Sequence, residues 1–436
     1  MSKKNNLIKI FILLIVDIGL FYGALFTALT LRYPNDYFLN IIINEHIWPF
    51  TIIFILWILI FGSSGLYDLR VNKNSKKFLY RLIRVMVINI VLAISVFYIF
   101  PFKIEPRRNL LLIASISTIF IFIWRHMFNF LAVKASANRL IFLGESPEAI
   151  ELAEFLAKNP QLGQKPMAFM SDSTRADLLH IAGYKLSDNL ANALKETKAD
   201  TVIMTPEIQE NKNIVNSLFQ VMPLGVRVLD FAPFYEMLTG KVPLYLIREI
   251  WFLENLVGLK KSSYDFTKRI IDIILSVIIG LPALTMFPFI FIAIKLESPG
   301  SVLFKQKRVG KNGRTFELLK YRSSYRTSVD KKDGWGKETG NIYSKTGRFL
   351  RKSYLDELPQ IINILRGEMS FIGPRPERLE FVEHLEKEIP FYKMRLLAQP
   401  GITGWAQINM EDDAAAKDAP EKMQYDLYYI KNRTLV

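Results

Sequence analysis

The chain of 436 residues contains no cysteine. That absence excludes a disulfide framework, a thiolate nucleophile and any cysteine-ligated metal site, and it leaves the redox compartment open. A complete glycine loop is also missing. Where a dinucleotide site shows Gly-x-Gly-x-x-Gly, this chain reads Gly144, Glu145, Ser146, Pro147, Glu148, Ala149: one glycine of the set, with Glu145 placed to repel a pyrophosphate. No small-residue cleavage site follows the first apolar run, residues 7–31, which begins just after Lys3 and Lys4. That run reads as a retained transmembrane helix and not as a signal peptide.

What the chain has in abundance is apolar sequence, 50% of its residues, gathered into long runs. Its length exceeds one ordinary domain. The net charge of +15 would suit nucleic acid, but lysines and arginines flank the apolar runs. Anionic lipid headgroups and phosphorylated substrates are the simpler partners, and no nucleic acid is expected. Further spans are expected at residues 47–61, 85–100 and 110–133, so that four helices return the chain to the side where it began. The connection with Arg70, Lys73, Lys76, Lys77, Arg81 and Arg84 is more basic than the one with Lys103, Arg107 and Arg108. This places the N-terminus and everything after residue 134 in the cytoplasm. Asp17 lies inside the first helix. An acid at membrane depth marks a functional site by default, yet pairing with a hydroxyl or amide inside the bundle explains it equally well, and it receives no chemistry.

From residue 139 the pattern becomes soluble α/β. Strands at 140–143, 167–170 and 201–204 and a helix at 149–158 predict a parallel, Rossmann-like sheet. Asp172 could reach a ribose, so nucleotide binding stays open. The poorly formed phosphate cradle favours a regulatory or dimerising module.

Residues 270–294 follow Lys268 and Arg269 and would span a hydrocarbon core of about 30 Å at about 1.5 Å per residue. Gly280, Pro282 and Pro288 argue against a straight span, because each proline removes a backbone bond and displaces the preceding turn. Kinked helices also cross membranes, so the residues alone leave crossing and re-entry both open. Next, residues 301–306 and 315–321 alternate like strands about Gly310, Lys311, Asn312 and Gly313, a hairpin signal. Lys305, Lys307, Arg308, Lys311, Arg314, Lys320, Arg322 and Arg326 crowd this region. A solvated basic face against lipid headgroups accounts for Lys311 and Arg314.

The stretch 352–377 carries the chemistry. Asp356 and Glu357 lead through Pro359 into a short apolar segment, with Ile361, Ile362 and Leu365 as its expected buried stripe and Gly367 as its stop. A helix N-terminus favours negative charge, so Asp356 is expected to be ionised at neutral pH and able to attack an electrophile or hold a divalent cation. A capping box of Ser353 and Asp356 is the chemically silent alternative. Arg375 stands between Pro374 and Pro376 after Gly373, and its planar fork suits two phosphate oxygens.

Three motifs in this stretch, Asp356-Glu357-Leu358-Pro359-Gln360, Gly367-Glu368-Met369-Ser370 and Gly373-Pro374-Arg375-Pro376, resemble the signature of the bacterial sugar transferase family, the monotopic phosphoglycosyl transferases. Further similarities run from Lys268 to Tyr429. They include Lys320 and Arg322 after the hairpin, although Ser323 and Ser324 replace an expected methionine, and the segment Pro400 to Gln407. The organisation upstream resembles the large branch of the family, in which Asp230 to Tyr235 and Trp251 to Glu254 form the linker between modules.

The resemblance implies a membrane protein of mixed α and α/β class. A four-helix transmembrane domain (1–135) would precede a Rossmann-like cytoplasmic module (136–255) and a mostly helical α+β transferase domain (256–436) with a re-entrant helix near 268–296. Pro282 or Pro288 would make the kink. It further implies transfer of a sugar-1-phosphate from a UDP-sugar to polyprenyl (undecaprenyl) phosphate at the cytoplasmic face of the bacterial inner membrane, with release of UMP. Asp356 would be the nucleophile and a ligand of Mg²⁺, and Glu357 the second catalytic carboxylate, accepting the remaining proton of the polyprenyl phosphate or helping to orient the metal. Lys320, Arg322 and Arg375 would be the phosphate contacts, membrane lipids further partners, and a homodimer the assembly. Residues 389–397 read as a surface-lying helix or an ordinary packed one. The chain stops sooner after Tyr425 to Ile430 than the resemblance leads one to expect. Two competitors are weaker: a nucleotide-sugar modifying enzyme needs the absent glycine loop, and the intact acid pair with Arg375 argues against a non-catalytic scaffold.

Overall fold

The computed structural model describes residues 2–34, 39–69, 75–100, 107–134, 138–171, 182–186, 188–246, 249–256, 262–297, 299–324, 343–410 and 418–433. Arg70, Lys73, Lys103, Asp172 and Arg326 lie outside the described residues. The chain divides into two compact units, Met1–Thr239 and Gly240–Val436.

The first unit begins with four long helices, α1 (Ser2–Arg32), α2 (Leu39–Ser63), α3 (Lys76–Ile99) and α4 (Arg107–Lys134). Each contains a stretch long and apolar enough to cross a membrane. Their outward faces expose residues such as Phe11, Ile15, Phe26, Leu59 and Val91, while Phe21, Phe50, Phe54, Trp57 and Phe61 fill the interior. Phe21 stacks on Phe54 at 5.2 Å and meets Trp57 edge-on at 5.3 Å. Asp17 is buried there. Arg125 of α4 reaches it at 2.6 Å, with the two side chains 1% and 0% exposed, and the Tyr67 hydroxyl faces it as well. Hydrocarbon offers a carboxylate no water, so a facing cation is the arrangement that keeps it tolerable.

A five-stranded, wholly parallel sheet follows: β1 (Asn138–Leu143), β2 (Gln164–Met170), β3 (Ala182–Tyr184), β4 (Thr201–Met204) and β5 (Arg227–Asp230), in the order β3-β2-β1-β4-β5. Helices α5 (Pro147–Ala157), α6 (Leu190–Thr197), α7 (Lys212–Val221) and α8 (Phe231–Thr239) complete it. This is the expected Rossmann-like arrangement. In such folds ligands sit outside the carboxyl ends of the strands where the order reverses, here between β1 and β4. Gly144 turns out of β1 with φ +90°, and a Cβ there would lie 2.1 Å from Thr205 Oγ1 and 3.0 Å from Ile208. Thr205 itself donates to the Leu143 carbonyl. The segment after β4 is therefore packed onto the turn that would have to open to a pyrophosphate.

The second unit opens with α9 (Glu249–Leu256) and α10 (Ser262–Glu297). Helix α10 continues through both Pro282 and Pro288. Arg269, near its start, donates to the carbonyls of Ile364 and Leu365, and Asp272 accepts from Ser370 Oγ and Phe371 N. Near its other end, Ile290 and Ile294 pack with Val302, Tyr321 and Leu350, and Glu297 accepts from Thr346 N. A straight helix would separate Arg269 from Glu297 by about 42 Å. Both ends rest on one compact unit, while Ile278, Leu281, Leu284 and Phe289 between them are exposed.

β6 (Leu303–Val309) and β7 (Thr315–Tyr321) form the antiparallel hairpin, in register from Leu303↔Tyr321 to Val309↔Thr315. The first strand thus starts two residues later than its alternation indicated and runs up to the turn. There Asn312 (φ 56°) and Gly313 (φ 77°) adopt the left-handed conformation that an Asn-Gly pair tolerates. The remaining elements are α11 (Lys345–Lys352), α12 (Gln360–Arg366), β8 (Ser370–Ile372), α13 (Leu379–Glu388), β9 (Gly401–Thr403), α14 (Trp405–Asn409) and α15 (Ala419–Asn432). Residues 389–397 form no surface-lying helix. Tyr392–Leu397 is a 3-10 turn with Tyr392 and Arg395 buried, because Arg395 pairs with Asp426 of α15 at 2.9 Å. Trp405 stacks on Tyr428 and donates to the Gly240 carbonyl, so it closes this core.

Candidate active site

Helix α11 ends at Ser353, whose hydroxyl donates back to the carbonyls of Phe349 and Leu350. It is committed to the end of α11, and the capping box with Asp356 does not form. Tyr354 then takes the left-handed conformation (φ 57°, ψ 14°) and turns the chain into a 3-10 turn, Leu355–Glu357. Helix α12 begins only after Pro359 and stops at Gly367, φ 81°. The acid pair therefore sits one tight turn ahead of the helix.

The buried face of α12 also differs from the apolar stripe. Gln360, Ile361, Asn363 and Ile364 point inward, whereas Ile362 and Leu365 are 41% and 45% exposed. The Asn363 side chain decides this. It donates to the Glu317 carbonyl at 2.7 Å and accepts from Leu319 N at 3.1 Å, stitching the helix to β7. Burying an amide with both ends satisfied costs little, and it fixes the rotation of the helix.

That stitch sets β7 beside the acid pair. Lys320 Nζ donates to Glu357 Oε1 at 2.7 Å, and Arg375 Nη2 donates to the same oxygen at 3.0 Å. Asp356, 8% exposed, lies in the field of Lys320 and Arg351. Arg322 Nη1 donates to the Pro299 carbonyl at 2.9 Å, at the base of the hairpin. Of the five residues singled out in the sequence, Asp356, Glu357, Lys320 and Arg375 come together.

The two acids are tuned in opposite directions. Burial pushes Asp356 above the ordinary aspartate range, and the Glu357 charge pushes it further against the pull of Lys320. A helix N-terminus favours ionisation, but at Asp356 the loss of water outweighs it. Burial also pushes Glu357 up, but Arg375 and Lys320 together outweigh this and hold it below its usual value. Glu357 is an anion that binds two cations in place. Asp356 is a more basic carboxylate with fewer competing bonds, the better placed of the two to attack an electrophilic phosphorus.

Arg308, Arg395, Asp426 and the Lys268–Asp272–Ser370 group also belong to this unit's polar framework. The Lys268–Asp272 spacing of four was a readable helix signal. Nothing in the sequence links Arg395 to Asp426, 31 residues away.

Among the described residues, no group of three or more His, Cys, Asp or Glu side chains converges on a metal position. Mg²⁺ is commonly bound through one or two carboxylates with phosphates and waters completing its shell. Asp356 fits that donor set, and Glu357 is already neutralised by its two cations.

Lys320 and Arg375 gathered on Glu357, with the buried Asp356 beside it, make a compact charged centre in a unit that also carries a long apolar helix. Residues 263–436 match the bacterial sugar transferase family. The chain is 41% identical over 206 residues to a UDP-N-acetylgalactosamine-undecaprenyl-phosphate N-acetylgalactosaminephosphotransferase of Aeromonas hydrophila, covering 46% of this chain and 47% of that one. It is 31% identical over 318 residues to a UDP-glucose:undecaprenyl-phosphate glucose-1-phosphate transferase of Xanthomonas campestris pv. campestris, covering 68% and 63%. A Bacillus subtilis protein named as a candidate undecaprenyl-phosphate N-acetylgalactosaminyl 1-phosphate transferase is 40% identical over 140 residues, 76% of its length and 31% of this chain. The chain thus spans less than two thirds of the first two relatives. It belongs to the bacterial sugar transferase family.

Proposed function

We propose that this protein transfers a sugar-1-phosphate from a UDP-sugar to undecaprenyl phosphate, as the first membrane step of a surface glycan, through a covalent phosphosugar-aspartate. The carrying observation is the buried Asp356 beside Glu357, which Lys320 and Arg375 share. A deprotonated Asp356 oxygen attacks the β-phosphorus of the UDP-sugar. The bond from that phosphorus to the bridging oxygen breaks, and UMP leaves with the electron pair. Lys320 and Arg375 draw the phosphate oxygens to a fixed place and offset the charge that builds there. An oxygen of undecaprenyl phosphate then attacks the same phosphorus, and Asp356 leaves as a carboxylate. A phosphate monoester has its second pKa near 6, so the acceptor is mostly a dianion at neutral pH and needs no base. Glu357, held low by its two cations, positions them instead of taking a proton. Mg²⁺, held by Asp356, would add charge neutralisation on the diphosphate.

The placement that suits this chemistry is the cytoplasmic face of the bacterial inner membrane, where nucleotide sugars are made. The two ends of α10 resting on one unit support a helix that enters the bilayer and returns. Residues 1–135 would anchor the protein, 136–255 serve as a regulatory or dimerising module and 256–436 perform the transfer. Because the chain has no cysteine, Ser301→Cys gives a single label site just beyond α10. No reaction with an impermeant maleimide in intact cells is expected; labelling from outside would overturn the re-entrant reading. The activity is tested by UMP release from a panel of UDP-sugars with undecaprenyl phosphate and Mg²⁺. Release that requires Asp356 supports it, and release unchanged in Asp356→Asn refutes it.

A further inference from the structure

The loop that carries Arg375 is fixed at every carbonyl from Pro374 to Glu377. Gly401 N donates to the Pro374 carbonyl at 3.0 Å, and Val309 N to the Glu377 carbonyl at 2.9 Å. Between them, two arginine side chains hold the remaining pair: Arg395 Nη2 donates to the Arg375 carbonyl at 2.9 Å and Arg308 Nη1 to the Pro376 carbonyl at 3.0 Å. Backbone groups make about two-thirds of protein hydrogen bonds among themselves, so two successive carbonyls both held by side chains are a minority arrangement. Both arginines are themselves anchored. Arg308 also grips Gln306 Oε1 through Nε and Nη2 and faces Glu377 at 3.7 Å. Arg395, 3% exposed, donates through Nε to Asp426 Oδ2 at 3.1 Å and through Nη1 to the Tyr392 hydroxyl at 2.6 Å.

We infer that Arg395, oriented by Asp426 and Tyr392, is a positioning residue for the transfer reaction, acting on Arg375 through its backbone carbonyl. One guanidinium spreads its donors over a carboxylate, a phenol and a peptide oxygen at once. A lysine has three donors on one nitrogen and cannot reach all three in that geometry. A buried ion pair is weak evidence for stability in its own right, since hydrophobic residues of like volume often serve as well or better. What this pair supplies is direction: Arg375, the cation at its far end, sits on a loop. Lys320, by contrast, is held by the hairpin.

This inference rests on the reading of Arg375 as a phosphate contact, and the experiment separates the two. UMP release is measured with UDP-N-acetylgalactosamine or UDP-glucose, whichever the unmodified enzyme turns over faster, plus undecaprenyl phosphate and Mg²⁺. The variants are Arg375→Ala, Arg395→Lys, the milder Tyr392→Phe, and each of the latter two combined with Arg375→Ala. Arg395→Lys should lower kcat/KM about 10²-fold, mainly through kcat, as expected for an ångström-scale misplacement. Tyr392→Phe, which removes one hydroxyl, should give a smaller loss in the same parameter. In the Arg375→Ala background either change should lower the rate less than about twofold, because the group it positions is already gone. Losses that multiply in the double variants would overturn the positioning role while leaving Arg375 in place. Full activity in Arg375→Ala would instead overturn the reading of Arg375 itself.

Discussion

Two turns in this chain lead into helices, and they make opposite use of their surroundings. Gly144 to Ser146 leaves β1 for α5 at the point where a doubly wound sheet would cradle a phosphate. It is closed: Thr205 and Ile208 pack against Gly144 where a ligand backbone would pass, and Ser146 spends its side chain capping Ala149 N. Tyr354 to Pro359 leads from α11 to α12. There a non-glycine residue takes a left-handed conformation, and the turn that follows sets Glu357 against Lys320 and Arg375 with Asp356 beside it. Strain of this kind costs on the order of 1–3 kcal/mol and survives only where the surroundings hold it. The glycine turn of the regular sheet is closely packed, while the irregular segment is the one that gathers opposed charges.

The largest effect expected on that contrast is at Asp356. Asp356→Asn should lower UMP release at least about 10³-fold, as losing a nucleophile does, and leave no trapped adduct. A few-fold loss would place the nucleophile elsewhere. Next, Glu357→Gln should lower the rate about 10²-fold by loosening Lys320 and Arg375. It should also move the acid limb of the kcat/KM profile to lower pH. The sign follows from the charges: Glu357 raises Asp356, and its removal leaves Lys320 free to lower it. Asp356 must be ionised to attack, so activity then appears earlier as pH rises. A limb that stays or moves upward would contradict the opposed tuning of the two acids.

The smaller effects concern the closed turn. Gly144→Ala should destabilise the protein by about 2–3 kcal/mol in thermal unfolding, from the positive φ and the collision with Thr205. UMP release per folded molecule should be unchanged. No nucleotide should raise the unfolding temperature through this module, and stabilisation that Gly144→Ala abolishes would reopen it as a ligand site.

Strands alternating with helices and the Asn-Gly turn make the parallel sheet and the basic hairpin legible in the sequence, and β1, β4 and β7 fall where the pattern puts them. The acid pair, Lys320 and Arg375 were legible as a motif. Their shared hydrogen bonds were not, because Glu357 Oε1 meets groups 37 and 18 residues away. The buried face of α12 was misread for a related reason. Counting apolar positions chose Ile362 and Leu365, but Asn363 could satisfy both ends of its amide on β7, and that long-range fit set the rotation. Likewise Asp17 needed Arg125, 108 residues on, to explain its burial. Local pattern predicts elements well; it cannot see which distant group completes a buried polar one.

The central claim is that Asp356 carries the sugar phosphate during transfer. Rapid acid quench of the enzyme with UDP-sugar and Mg²⁺, before any acceptor is added, followed by peptide mass spectrometry, tests it most directly. A phosphosugar increment on the peptide containing Asp356, discharged when undecaprenyl phosphate is supplied, is the predicted result. Steady product formation from a protein that is unmodified at every quench time would contradict it.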